Sequence, residues 1–193
     1  LCYSTFYPDQ ASNISTTEKE NILFKLQDAS SDYKIYTLDN DKQKYRLVYT
    51  KNKDGITIIK CIGIENYFPE GELYIPETIE GLPVIGIGKS AFFSYEGLAG
   101  TIVIPDTVKY IGDTAFSFCE NITSLKLGKG LVGIGDSAFS FCEGLTDNVI
   151  EVPEGVKAIG PGAFKSCKNI KSVIFPSTLD VIAPGTLDYC DSL

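Results

Sequence analysis

The sequence predicts a curved solenoid, in which short repeats stack to form one continuous core, and two observations lead to that prediction. The frame Ile-Gly-x-x-Ala-Phe-x-x-Cys-x-x-Leu recurs with its phenyl position at Phe92, Phe116, Phe139 and Phe164, and with Leu187 in a fifth copy. These positions are 24, 23, 25 and 23 residues apart, and a phrase of alternating apolar and polar residues precedes each. A unit this short cannot bury its apolar face alone, so neighbouring units must stack.

The segment before the repeats, residues 1–70, is predicted to be a β-rich cap or lead-in, because a solenoid needs its first apolar face covered. From residue 34 the phrases KIYTLD, KYRLVYT and ITIIKCIGI alternate, and the turn-like DNDKQ and NKDG separate them. This pattern predicts two β-hairpins. The phrase EKENILFKLQD at 18–28 could be a helix or a strand, and an independent small domain is the alternative to a cap.

Residues 71–193 are predicted to form five repeats, at 72–98, 101–122, 124–145, 149–170 and 172–193. Each is expected to contain a strand, a tight turn, a short apolar segment and one helical turn. The strands follow from the alternation in ELYIP, TIVIP, SLKLG, VIEVP and SVIFP. The helical turns follow from Asp-Thr and Asp-Ser before two of the Ala-Phe pairs, since such residues cap helices. The sequence stops where another strand should begin, so we expect further repeats or a cap beyond it.

The phrases IPDTVKYIGDTAFSFCENI and VPEGVKAIGPGAFKSCKNI resemble the BspA-type leucine-rich repeat family, and the resemblance covers about residues 72–193. It implies a right-handed leucine-rich repeat solenoid, with a parallel β-sheet on one face and short helical turns on the other. It also implies a secreted or cell-surface protein that attaches to host proteins or to other cells. Gly128, Ala183 and Leu187 depart from the family pattern, and all three changes are conservative for the fold.

Composition excludes several classes of function. The 193 residues contain no histidine, which excludes Ser-His and Cys-His catalysis and most catalytic zinc sites. The net charge of −8 and the scattered lysines argue against a nucleic-acid partner. No stretch approaches the ~18 apolar residues of a membrane span, so we expect no membrane insertion by this segment. We predict a non-enzymatic protein without a cofactor or a metal site.

The cysteines of the frame are predicted to fill the core. Equivalent side chains in a stack point the same way, which disfavours disulfides, and a straight row of thiols cannot surround a metal ion tetrahedrally. Tyr95 takes the same position in the first repeat, so the position requires packing rather than sulfur. The predicted structural ladder consists of Phe92, Phe116, Phe139 and Phe164 with Cys119, Cys142, Cys167 and Cys190. An outer row is expected to pack between repeats, or to be a rival binding face if exposed: Ser94, Phe118, Phe141, Ser166 and Tyr189.

The predicted binding surface is the exposed face of the strands, where equivalent positions carry unlike residues: Tyr74, Val103, Lys126, Glu151 and Ile174. A wide, shallow face suits proteins or glycans better than small molecules. We therefore predict an extracellular or cell-surface, adhesin-like module that binds a protein or glycan ligand on a host or neighbouring cell. A structural spacer and an accessory module of a larger enzyme are the alternatives. Uncovered apolar rows after the last repeat also predict end-to-end self-association.

Overall fold

The computed structural model describes residues 33–39, 44–63, 73–95, 97–147, 149–179 and 181–193. The N-terminal strands are β1 (Lys34–Asp39), β2 (Lys44–Lys51) and β3 (Ile56–Gly63). They form an antiparallel meander, which contains the two hairpins that the alternation predicts. The segment 18–28 lies outside the described residues, as do 64–70, so a cap formed by the whole of 1–70 stays a prediction.

The repeats contribute the remaining strands of the described chain: β4 (Leu73–Tyr74), β5 (Thr78–Ile79), β6 (Leu82–Ile87), β7 (Gly100–Val103), β8 (Tyr110–Ile111), β9 (Ile122–Lys126), β10 (Gly133–Ile134), β11 (Ile150–Glu151), β12 (Ala158–Ile159) and β13 (Val173–Ile174). The strand phrases of the sequence form the strand ladder, β4-β7-β9 and β11-β13, and all its pairings are parallel. The leucine-rich repeat solenoid of stacked coils is therefore confirmed.

A second parallel ladder, which we call the Ile-Gly ladder, was not expected from the sequence. It contains β6, β8, β10 and β12, formed by the segments that end in the Ile-Gly pairs. The meander continues this ladder, because β3 pairs in parallel with β6. A Cβ at Gly135 would lie 2.6 Å from the backbone nitrogen of Asp113 in the preceding repeat. The frame requires glycine there because adjacent coils approach too closely for any side chain.

The short helical turns expected behind the strands are not confirmed: within the described residues the structure contains no helix. The segment 112–119 instead makes successive i to i+3 turns, and Thr114 and Phe118 have left-handed backbones, with φ of 51° and 61°. The amide of Phe116 donates to Ala138 O in the next repeat at 2.8 Å. A helix needs consecutive right-handed residues with bonds inside the segment, and here every second amide bonds to the neighbouring coil. It follows that no membrane-spanning helix is found in the part of the chain that the structure describes.

The core is a stack of phenylalanine rings. The centroids of Phe92 and Phe116 are 4.9 Å apart, and those of Phe116 and Phe139 are 5.3 Å apart. Phe139 and Phe164 continue the stack at 5.4 Å, and the planes of all these pairs lie within 7° of parallel. Offset stacking of buried rings adds to the burial energy of each one. The stack therefore connects the first four repeats, whereas the fifth has Leu187 at this position.

The meander and the first repeat share this core. Tyr45, Leu47 and Ile58 are fully buried in the same cluster as the repeat residues. The Tyr45 hydroxyl donates a hydrogen bond to the main-chain oxygen of Tyr74, and desolvation raises the pKa of the Tyr45 hydroxyl above its ordinary value. The first strand of the strand ladder is thus attached to the meander through β2.

Five additional residues in the first repeat form a hairpin that reaches the meander. β5 and β6 pair antiparallel across the turn at Glu80 and Gly81, where both residues have positive φ, as a two-residue hairpin turn requires. The Glu80 carboxylate lies 3.1 Å from the ammonium groups of both Lys34 and Lys51. These side-chain contacts, that of Lys51 first, lower the pKa of Glu80 to about 2.

Candidate functional site

The cysteines of the row pack against neighbouring repeats, and their surroundings make the thiols unreactive. The thiol of Cys142 donates to the main-chain oxygen of Phe116 at 3.1 Å, and the other cysteines of the row repeat this contact with the Phe of the preceding repeat. Burial raises the pKa of Cys119 and Cys167 to about 12, so neither forms the reactive thiolate near neutral pH. No group of metal-ligating side chains occurs among the described residues.

The five side chains of the predicted binding surface lie on the strand ladder. The registers align Tyr74 with Val103 and Val103 with Lys126, and they align Glu151 with Ile174. All five are exposed: Tyr74 by 54% and Ile174 by 52%. The structure thus places Tyr74, Val103 and Lys126 side by side in one group. Glu151 and Ile174 form a second group. Their role in binding stays a prediction.

The strand ladder is interrupted between these two groups. No strand pairing joins β9 to β11 in the described chain, although the strands are consecutive in the ladder. The turn from Leu145 to Ile150 takes five residues, where the corresponding step from Ile122 to Leu125 takes three. The Leu125 amide, which faces this turn, donates to the Asp147 carboxylate at 2.8 Å. A side chain therefore takes the place of the missing strand as hydrogen-bond acceptor.

An open cleft of about 790 Å³ lies at this interruption. Its wall includes three of the five predicted binding residues, Lys126, Glu151 and Ile174, and also the exposed Val149. Lys126 and Glu151 lie at corresponding positions of β9 and β11, yet within the described residues neither makes an ion pair. The cleft offers apolar surface together with two cations, Lys126 and Lys129, and two anions, Glu151 and Glu154. Sequence reasoning missed it, and the longer step before residue 150 was the available signal.

The outer row packs between repeats in part, and some of its side chains are exposed. Phe118 stacks on Phe141 with centroids 4.4 Å apart, and Phe93 meets Phe118 edge-on at 5.6 Å. Phe118 is nevertheless 37% exposed, and Tyr189 is 67% exposed. Packing between repeats therefore holds the two stacked rings, while their outer edges face solvent. The sequence frame did not identify Phe93, which lies one position before this row.

Comparisons with known proteins agree with this architecture. A family model described as "BspA type Leucine rich repeat region" matches residues 73–193 in six copies, where the sequence frame counts five. The structure is similar to the leucine-rich repeat protein of T. pallidum, with 29% identity and a TM-score of 0.67 over 82% of this chain and 69% of that one. A leucine-rich repeat protein from Bacteroides ovatus matches with 26% identity and a TM-score of 0.56, over 82% of this chain and 46% of that one.

A leucine rich cell surface protein from Faecalibacterium prausnitzii shares the fold at 22% identity, with a TM-score of 0.53, over 85% of this chain and 54% of that one. The chain thus spans about half the length of this protein and of the Bacteroides protein. No match is found among curated protein sequences.

Proposed function

Because the chain belongs to the BspA-type leucine-rich repeat family, we propose that it is a non-enzymatic binding module that holds a protein ligand on its strand ladder. The single observation that carries this proposal is the cleft between β9 and β11. It interrupts an otherwise regular surface at the point where exposed apolar and charged side chains meet. The ligand is a protein on a host or neighbouring cell, and the module is extracellular or attached to the cell surface.

The chemistry of the cleft suits a protein ligand. An apolar side chain of the partner can bury itself against Val149 and Ile174, which are exposed in the isolated chain. The Lys126 ammonium and the Glu151 carboxylate can each form an ion pair across the interface, which fixes the orientation of the partner. Binding energy in such interfaces is concentrated in a few central side chains, and the cleft supplies a central position.

A rigid array also favours binding in energetic terms. The strands on both sides of the cleft are attached to the stacked phenylalanine core, so little backbone freedom is lost when a partner docks. The location outside the cell is supported by the family resemblance, which associates such repeats with secreted and surface proteins. The name of the Faecalibacterium protein, "leucine rich cell surface protein", is in keeping with it.

The experiment is a binding screen of the chain against immobilised extracellular-matrix and cell-surface proteins, followed by two triple variants. The cleft variant carries Lys126→Ser, Glu151→Ser and Ile174→Ser. The matched control carries Tyr33→Ser, Lys53→Ser and Glu120→Ser, which are exposed residues outside the strands of both ladders. We expect at least about a tenfold loss of affinity in the cleft variant and none in the control, since central anchors dominate such interfaces. A ligand that binds both variants equally well would place binding elsewhere, and a screen without ligands would favour the structural spacer.

We also propose that the last described repeat associates with a second copy of the chain. Val181, Ile182 and Leu193 are exposed there, each by half or more. Apolar surface of this kind is normally covered by a partner. Sedimentation of the chain over a range of concentrations should show a rising mean mass, whereas a monomeric mass at high concentration would contradict the proposal.

A further inference from the structure

The outward side of the Ile-Gly ladder carries one large exposed side chain among small ones. Tyr110 on β8 pairs with Gly86 on one side and Gly133 on the other, and Ala158 follows Gly133 in the same row. Tyr110 is 60% exposed. Its neighbours in the row have side chains no larger than a methyl group, so none of them covers the ring.

The ring of Tyr110 lies on a rigid base. A Cβ at Gly133 would lie 3.4 Å from Cδ1 and 3.8 Å from Cε1 of the ring, so the ring leans over the backbone of the next coil. β8 is paired on both sides, with β6 and with β10. A ligand that contacts the ring therefore meets a preformed platform, and little ordering opposes binding.

Two lysines directly precede residues of this row, Lys109 before Tyr110 and Lys157 before Ala158. The ammonium of Lys109 extends toward the next repeat, like the ring, since it would lie 2.9 Å from a Cβ at Gly130. Lys157 precedes Ala158 and is exposed, as Lys109 is. In the described part of the chain neither lysine makes an ion pair. On a chain with a net charge of −8, this side offers two cations to an anionic ligand.

We propose that Tyr110, Lys109 and Lys157 form a binding site for a carboxylated pyranose, the acidic sugar unit of a glycan. The face of an aromatic ring is electron-rich, and it attracts the polarised C–H groups on the flat side of a pyranose. A carboxylate on that sugar pairs with the ammonium of Lys109 or Lys157. The site lies on the opposite ladder from the proposed protein-binding cleft, so the inference goes beyond the proposed function and does not depend on it.

The geometry favours a sugar over an acidic peptide. A peptide that binds to a sheet normally adds a strand at an open edge, where unpaired backbone groups are exposed. β8 is an inner strand, and its backbone bonds are already made to β6 and β10. What the surface presents instead is a single flat ring, of about the size of one pyranose, on a ladder that also carries the exposed Lys109 and Lys157.

The test is a titration of the full chain with methyl β-D-glucuronide, with the neutral methyl β-D-glucoside as the matched sugar and tetraglutamate as the acidic peptide. Binding is followed through the backbone amide resonances. We expect the glucuronide to shift the amides of residues 109–111 and 133, with an affinity about fivefold above that of the glucoside, the upper range for an exposed ion pair.

Variants of the platform make the test specific. Tyr110→Ala should abolish glucuronide binding and Tyr110→Phe should retain it. The double variant Lys109→Ser and Lys157→Ser should lower the affinity for the glucuronide to that for the glucoside. Tyr33→Ala, which removes an exposed tyrosine outside the strands of both ladders, serves as the control and should change nothing. Amide spectra of each variant establish that it is folded. If the Ala variant does not fold, the Phe and Ser variants still test the proposal.

The proposal is overturned if the glucuronide leaves these amides unshifted, or if Tyr110→Ala binds it as the parent chain does. Equal binding of tetraglutamate would also overturn it, since charge alone would then account for the effect. Failure here leaves the cleft proposal intact, because that proposal is tested with other residues and with a protein ligand.

Discussion

The two ladders of this solenoid are built by the same coils and differ in continuity. The Ile-Gly ladder joins the meander and continues without a break from β1 to β12, whereas the strand ladder is split between β9 and β11. In the Ile-Gly ladder, coils touch through glycines at which a Cβ would lie under 3 Å from backbone. In the strand ladder the preceding turns differ in length. The glycines of the Ile-Gly pairs therefore hold adjacent coils together on one side, and a longer turn separates the strands on the other.

Both ladders depend on the shared stack of rings, so the largest effect should come from removing one ring. Phe139→Ala should lower the free energy of unfolding by about 3–5 kcal/mol, since it removes a fully buried ring from the stack. Urea denaturation followed by circular dichroism measures the change. The fifth repeat has Leu187 at this position, so Phe139→Leu is the matched control and should cost much less. A loss below about 1 kcal/mol in the Ala variant would show that the stack does not support both ladders.

The next largest effect should distinguish two glycines on the Ile-Gly ladder. Gly135→Ala places a methyl group 2.6 Å from the nitrogen of Asp113, so the coils must separate, and a loss of about 1–3 kcal/mol is expected. Gly133→Ala, two residues earlier, meets nothing closer than the Tyr110 ring at 3.4 Å and should be far milder. Thermal unfolding of the two variants measures the difference. Equal melting temperatures would mean that close coil contact is not what keeps this ladder regular.

A smaller effect should appear at the interruption of the strand ladder. Asp147→Ala leaves the Leu125 amide without its acceptor, at a cost of about 1 kcal/mol. Hydrogen exchange should accelerate at Leu125 and not at residues of the Ile-Gly ladder such as Ile134. Asp147→Asn keeps an acceptor oxygen and should fall between the Ala variant and the parent chain. Unchanged exchange at Leu125 in the Ala variant would show that the carboxylate does not replace a strand.

The smallest effect should be electrostatic, at the hairpin where Glu80 meets the meander. The pKa of its carboxyl group is lowered to about 2, chiefly by its contact with Lys51 and then by that with Lys34. A carboxyl group with a lowered pKa stabilises the fold above its unfolded value of 4.5, and it loses that contribution as the pH falls toward 2. Glu80→Gln should therefore be less stable than the parent chain at pH 6, and equally stable near pH 2.

Lys51→Gln and added salt should each reduce this difference at pH 6, because the ion pair is exposed. Denaturation of the parent chain and the variants at both pH values measures it. A stability difference that persists near pH 2 would mean that Glu80 acts through packing rather than charge.

Features that repeat were predictable from the sequence, and features that depend on register or on one side chain were not. Apolar residues that recur at the repeat period are the ones that stacked coils bury, so Phe116 and Cys119 could be assigned to the core. Strands such as Tyr110–Ile111 have two residues, too few for alternation to appear, so the Ile-Gly ladder and the exposed Tyr110 stayed hidden. The Asp-Thr pair suggested a helix cap, yet such residues also favour turns, and Thr114 adopts the left-handed conformation.

The Asp147 carboxylate also has a practical meaning for protein engineering. One side chain there accepts the hydrogen bond that an adjacent strand would otherwise accept, and the coil can gain residues at 146–149 while the ring stack keeps its spacing. This turn is therefore the natural place to insert a foreign loop. A library of loops displayed there would be held on a rigid frame beside an existing cleft, which is the arrangement that a selectable binding scaffold requires.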